Sequence, residues 1–152
     1  MKEIGIGVIG TAFMGKAHSI AYASAGTAFG GNLRPRLEMV CDIDPQIAEA
    51  KRAEMGFARC TSDYMAVIND PRVELISICV PNSLHKEIAI AALAAGKHVW
   101  CEKPMSTNLA DSQAMVDAAA ASEQKTIVGY NYTQNPLVHA ARDMINEGVI
   151  GE

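Results

Sequence analysis

What this chain lacks narrows its class first. It has no block of basic residues: net charge is −4, from 13 Lys and Arg against 17 Asp and Glu. A broad electropositive face for nucleic acid is therefore excluded. No apolar run approaches the ~20 residues of a membrane span, so no membrane partner is expected. The apolar N-terminus is broken by glycines and has no cleavage-site pattern, and it is not read as a secretory signal. The four cysteines (Cys41, Cys60, Cys79, Cys101) contain no C-x-x-C pair. That argues against zinc or a redox dithiol, and no metal is expected. Cys41, Cys79 and Cys101 fall at or near the ends of strand-like runs and read as buried or strand-end thiols in a reducing cytoplasm.

Aromatics are also scarce, at 5%, while alanine is plentiful. That pairing suits small helices packed on a sheet. An apolar fraction of 49% and a charged fraction of 20% belong to a soluble globular protein. The 152 residues suffice for one domain with a real core.

Strand-like runs alternate with helical patterns. A first strand is expected at 3–9 and a first helix at 14–25. Residues 27–36 (TAFGGNLRPR) read as an extended loop. A second strand covers Leu37–Cys41, and Asp44-Pro45 opens a helix that runs to Gly56. A short third strand is expected at Phe57–Cys60, then a short helix capped by Ser62 and ended before Pro71. Val73–Val80 is nearly continuous in apolar residues, the mark of a strand buried on both faces. A helix at Ser83–Ala95 closes at Gly96, and His98–Cys101 is a fifth strand. Ser106 or Asn108 caps a helix ending near Ser122. Thr126–Tyr130 is a sixth strand, and Pro136–Glu147 a last helix stopped by Gly148. This rhythm predicts an α/β fold: a doubly wound parallel sheet with helices on both faces.

Ile4–His18 reads IGIGVIGTAFMGKAH. An apolar run ends at Gly10, and after Thr11, Ala12, Phe13, Met14 and Gly15 a helix can begin. This is the strand–turn–helix order of the dinucleotide fingerprint G-x-G-x-x-G, with Ala12 at the second glycine. Gly10 allows the tight turn, position 12 lets a pyrophosphate approach backbone N–H groups, and Gly15 lets helix and strand pack closely. The helix N-terminus offers free N–H donors and partial positive charge. Taken alone, an ordinary glycine turn explains the stretch equally well. The methyl of Ala12 is expected to shift or weaken pyrophosphate binding without forbidding it.

Ligands of open parallel sheets bind beyond the carboxyl ends of the strands. The second strand ends at Asp42, which can accept hydrogen bonds from the ribose hydroxyls of NAD and would repel the 2′-phosphate of NADP. Ile43 follows, so no phosphate clamp is visible. The spacing from Gly10 exceeds the usual ~20 residues, an excess assigned to the loop 27–36. The competing reading makes Asp42 and Asp44 turn or cap residues; Asp44 is read as a cap. The fourth strand exits through Cys79, Val80, Pro81 and Asn82. His85, in the next first turn, is expected to line the cofactor cleft rather than do chemistry. The fifth strand ends at Cys101, then Glu102-Lys103-Pro104. An ammonium there can hydrogen-bond a hydroxyl being oxidised and stabilise alkoxide-like charge. Glu102 would orient Lys103 or touch a ribose. The alternative is a solvated ion pair at a turn. His18, His139 and Met115 are read as structural. Phe13 and Met14 either pack or shape the cleft.

Together these segments resemble the glucose–fructose oxidoreductase / inositol dehydrogenase family: GTAFMGKAH at 10–18, VCDIDP at 40–45, VPNSLH at 80–85, AGKHVWCEKP at 95–104, then VGYN and GVIGE. The resemblance implies a Rossmann-type domain over 1–130. Residues 131–152 would be the connecting helix and the start of a second, substrate- and oligomer-forming domain absent from this chain. It also implies that the histidine general acid/base lies outside this chain, that Lys103 is the catalytic lysine, and that Lys103–Pro104 is frequently cis. Cofactor contacts are expected from Gly10, Thr11, Ala12, Phe13, Met14, Gly15, Asp42, Ile43, Cys79, Val80, Pro81, Asn82, His85, Glu102 and Lys103. Two positions depart from the family pattern: Ala12, and Tyr132-Thr133 where many members carry Arg or Lys.

The implied function is the NAD-binding half of a dehydrogenase acting on a secondary hydroxyl of a sugar, sugar acid or cyclitol. NAD is favoured over NADP, and the full-length protein is expected to form homo-oligomers. The competing function is a non-catalytic NAD-binding regulator or sensor, against which the intact Glu102-Lys103-Pro104 argues. A third uses transient oxidation with retained NAD to cleave glycosidic bonds.

Overall fold

The computed structural model describes residues 2–149 and residue 151. Among them, six parallel strands form one sheet in the order β3-β2-β1-β4-β5-β6. They are β1 Lys2–Ile9, β2 Leu33–Cys41, β3 Arg59–Thr61, β4 Leu75–Ile78, β5 His98–Cys101 and β6 Thr126–Val128. The helices are α1 Phe13–Phe29, α2 Pro45–Met55, α3 Tyr64–Asn69, α4 His85–Ala94, α5 Leu109–Ala120 and α6 Pro136–Asn146. The order reverses between β1 and β4, which is the switch point where ligands of doubly wound sheets bind.

Both faces of the sheet are covered, and side-chain alternation sorts the core. Ile9, Met39, Cys41, Ile76 and Ile78 point to one face. There they pack with Val67 and Ile68 of α3, Ile88 and Ala92 of α4, and Met115 of α5. Ile6, Val8 and Val40 point to the other, with Tyr22 of α1 and Phe57 after α2. Met115 and its neighbours Ala118 and Ala119 are therefore helix-on-sheet packing.

Local signals set several boundaries. Asp44 caps α2 by accepting from the N–H groups of Gln46 (2.8 Å) and Ile47 (3.3 Å), and Pro45 follows. Gly56 closes the helix with φ 80°, a left-handed conformation that glycine adopts without strain. Asn108, not Ser106, accepts from the N–H of Asp111 at the start of α5.

Other boundaries differ from expectation. Residues 27–36 are not an extended loop: α1 continues to Phe29 and β2 begins at Leu33. Proline is tolerated within β2 because β3 pairs only with Met39–Cys41, leaving Pro35 on a stretch with one open side. The long spacing from Gly10 to Asp42 is thus a long helix and a long strand. Asp63, rather than Ser62, caps α3. The strand around 57–60 shifts to Arg59–Thr61. Only Leu75–Ile78 of Val73–Val80 is strand, and β6 stops at Val128.

Candidate functional site

The residues expected to bind a ligand converge on the carboxyl edge of β1, β2, β4 and β5. The chain leaves β1 at Gly10 with φ 96°. A Cβ at Gly10 would collide with the carbonyl oxygen of Cys79, and a Cβ at Gly15 with the carbonyl oxygen of Gly10. The first and third fingerprint positions therefore require glycine. The second does not. Ala12 adopts φ −68° and is exposed, so its methyl fits this turn without strain. Among the described residues no side chain caps α1, and no acidic residue stands in its first turn. Its leading N–H groups remain open to an anion, with the helix dipole behind them.

Thr11 and Asp42 join the first two strand ends. The buried Thr11 hydroxyl donates to Oδ2 of Asp42. Oδ1 of Asp42 accepts from the N–H of Asp44 at 3.3 Å. The carboxylate is thus held from two sides at the edge of a cavity of about 400 Å³, which Ala12 and Phe13 also line. Phe13 and Ile43 are both strongly exposed, at 82% and 92%. They are apolar surfaces without an internal partner.

Past β4, Cys79 and Val80 are half-buried while Pro81 and Asn82 are exposed. Burial pushes the Cys79 thiol up to about 12, with the Glu102 carboxylate adding to the effect, so it is no nucleophile near neutral pH. His85 does not line the cleft as expected. It is fully buried, with ring nitrogens 3.0 Å from the Pro104 carbonyl oxygen and 2.9 Å from that of Val80. A histidine in the first turn of a helix at the strand ends reads as a cleft residue. Here the first turn of α4 tucks the ring between the β4 exit and the turn after β5, so His85 braces both from beneath.

Glu102 and Lys103 do not form the solvated pair that competes with the functional reading. Glu102 is buried, and its Oε1 lies 2.9 Å from Nε2 of His18. Lys103 is exposed and has no ion pair or side-chain hydrogen bond among the described residues. The Lys103–Pro104 peptide is cis. The ammonium is thus free at the end of β5, beside a second cavity of about 640 Å³. Met14, His18, Tyr22, Trp100 and the segment around Gly129–Gln134 also line this cavity, whose volume suits a small organic ligand.

His18 is more than a core histidine. Its Nδ1 is 3.0 Å from Ser77 Oγ, which is 2.8 Å from the Tyr22 hydroxyl. A carboxylate only accepts, so Nε2–H donates to Glu102. With a neutral imidazole, Nδ1 accepts from Ser77, whose oxygen also bonds the Tyr22 hydroxyl. Burial pushes the Tyr22 phenol up to about 12, partly offset by its bond to Ser77, and the phenol stays protonated near neutral pH. Trp100 packs against the chain, its ring 4.7 Å from that of His18 and 6.2 Å from that of Tyr22. A Cβ at Gly129, just after β6, would run into the Glu102 carboxylate and crowd the Trp100 indole, so a side chain there would push the carboxylate out of this network. Among the described residues no three His, Cys, Asp or Glu side chains are grouped to hold a metal, and no helix is long and apolar enough to cross a membrane.

Comparison with known proteins agrees with this fold. Residues 4–130 match the oxidoreductase family with an NAD-binding Rossmann fold. The levoglucosan dehydrogenase of Pseudarthrobacter phenanthrenivorans is 40% identical over 152 residues, covering 99% of this chain and 39% of that protein. An inositol 2-dehydrogenase/D-chiro-inositol 3-dehydrogenase of Lactiplantibacillus plantarum is 31% identical over 97% of this chain and 41% of its own length. The solved structure of levoglucosan dehydrogenase in complex with NADH and levoglucosan superposes with a TM-score of 0.93 at 39% identity, covering 99% of this chain and 41% of that one. The chain therefore spans about two fifths of the length of the relatives it matches. With its strand order, glycine turn and a family match over residues 4–130, the chain belongs to the oxidoreductase family with an NAD-binding Rossmann fold.

Proposed function

We propose that this chain is the cofactor-binding part of an NAD-dependent dehydrogenase that oxidises a secondary hydroxyl of a sugar, sugar acid or cyclitol, or reduces the ketone. Residues 1–130 are the cofactor domain. Residues 131–152 lead into a second domain that completes the substrate pocket and the contacts of a homo-oligomer. One observation carries the reading: a helix N-terminus and a Lys103 that have no side-chain partner among the described residues share one edge of the sheet with a fixed Asp42.

The residues present fit NAD. The glycine cradle at Gly10 and Gly15 has no room for a Cβ, and the N–H groups from Thr11 to Gly15 bind the pyrophosphate. Asp42 accepts from the ribose hydroxyls, held in place by Thr11 and Asp44. Phe13 and Ile43 offer exposed apolar surface to the flat rings, with Met14, Val80, Pro81 and Asn82 along the cleft. When bound, NAD supplies the hydride acceptor. Lys103 donates a hydrogen bond to the substrate oxygen and stabilises its developing negative charge. Glu102, tied to His18, fixes the start of the Lys103 turn. The substrate class is supported by the names of the relatives, which act on levoglucosan and inositols.

The test is titration of the chain with NADH and, separately, NADPH, read by quenching of Trp100 and energy transfer to the nicotinamide. Saturable binding with NADH preferred is expected. Preference for NADPH overturns the role of Asp42, and binding of neither overturns the cofactor reading for this chain. In the longer protein, unchanged turnover of a polyol or sugar by Lys103→Ala overturns the role of Lys103.

A further inference from the structure

Two lysines stand at the Asp42 cavity and neither is free. Lys16 lies in the first turns of α1 and Lys51 on α2, and both line the cavity that Asp42 borders. Glu54 of α2 holds both ammonium groups. Its Oε1 lies 2.5 Å from Lys16 Nζ, and its Oε2 lies 2.6 Å from Lys51 Nζ. The two lysines hold its carboxyl down to about 2, Lys16 first, so the clamp is charged across the neutral range.

This clamp does little for stability, because exposed ion pairs of this kind are screened by water and salt. Its effect on the cavity is larger. Asp42 repels an anion there, while two unbound ammonium groups would attract one. The ligand feature that distinguishes these states is a phosphate on the ribose 2′-oxygen, a doubly charged group that lysine readily recognises.

We propose that Glu54 is a second determinant of cofactor selectivity. By engaging Lys16 and Lys51 with its two oxygens, it withholds both from a ribose 2′-phosphate and so keeps the site selective for NAD. Asp42 acts directly on the ribose; Glu54 is a positioning residue that acts through the lysines. This rests on the reading of the cavity as the adenosine-ribose site of NAD.

The experiment measures the ratio of dissociation constants, NADPH over NADH, for this chain by Trp100 emission at low and high salt. Glu54→Gln is expected to lower the ratio about tenfold at low salt, the worth of one or two exposed charge contacts, and the effect should fade at high salt. Glu54→Asp, which keeps the charge, should restore the wild-type ratio. Lys16→Met combined with Glu54→Gln should reverse much of the gain. A ratio unmoved by Glu54→Gln while NADH still binds overturns the role of Glu54 alone. Failure of the wild-type chain to bind either nucleotide overturns the underlying reading of the site and this role with it.

Discussion

Nε2 of His18, in the second turn of α1, lies 2.9 Å from Oε1 of Glu102 at the end of β5, a contact between residues 84 apart in sequence. Both side chains are buried. The bond makes the first helix, which begins at the glycine turn, a support for the turn that presents Lys103. Replacing His18 by Ala leaves a carboxylate buried without its donor, so a loss of about 3 kcal/mol is expected. Glu102→Gln keeps an acceptor oxygen for Nε2–H and should cost about 1 kcal/mol. Urea denaturation checks this: the midpoint of His18→Ala should fall well below that of Glu102→Gln, with the slope unchanged.

His85 braces two turns at once, through the carbonyl oxygens of Val80 and Pro104. His85→Leu fills much of the volume and removes both ring contacts, including the hydrogen bond that a ring N–H donates to a carbonyl oxygen. A loss of about 2 kcal/mol is expected. Because the ring does not reach the cleft surface, the variant should retain saturable NADH binding at temperatures where it remains folded. Loss of all binding in a folded His85→Leu domain would place the ring in the ligand contact instead.

The glycine turn gives a contrast between neighbouring positions. Gly15→Ala forces a Cβ onto the Gly10 carbonyl oxygen, a backbone atom that cannot yield cheaply. A loss of about 3 kcal/mol or more is expected, as for overpacked cores. Ala12→Gly changes an exposed residue at φ −68°, and its effect on stability should stay within about 0.5 kcal/mol. NADH affinity should change by less than about threefold. Thermal melts and NADH titration of the two variants check the contrast.

The parts of this chain that could be read in advance are those fixed by neighbours in sequence. Asp44 followed by Pro45, Gly56 after a helical run, and the glycines of the first turn each satisfy a local backbone requirement, and the structure puts them where that requirement predicts. The doubly wound parallel sheet followed from the alternation of strands and helices, while the order of its strands came from their pairing. What stayed hidden depends on tertiary partners. TAFGGNLRPR carries loop residues, yet pairing with β1 draws Leu33–Arg36 into a strand. His85 has the position of a cleft residue, and only packing against Pro104 turns it inward. Met14, His18 and Tyr22 recur at intervals of four, one face of a helix, so a signal existed for their shared cavity. That His18 and Tyr22 meet Ser77, and His18 also Glu102, could not follow from spacing within α1.

The opposite end of the sheet carries a charge cluster whose pH dependence can be worked out. Asp70, after α3, is buried and paired with Arg59, which also donates to the buried Glu38 of β2. The Arg59 guanidinium holds the Asp70 carboxyl down from its ordinary 3.8 to about 2, outweighing the opposing effect of burial, with the Arg72 N–H adding to it. A carboxyl lowered in the folded state binds its proton later there than in the unfolded chain. Its stabilisation is therefore complete above the ordinary value and is lost as pH falls from about 4 through about 2. Asp70→Asn lacks this contribution at every pH. The gap in urea midpoint between wild type and Asp70→Asn should be constant from pH 7 to about 5 and shrink steadily below about 4. A gap that persisted undiminished at pH 2 would mean that Asp70 acts through shape and neutral hydrogen bonds, with its charge contributing nothing.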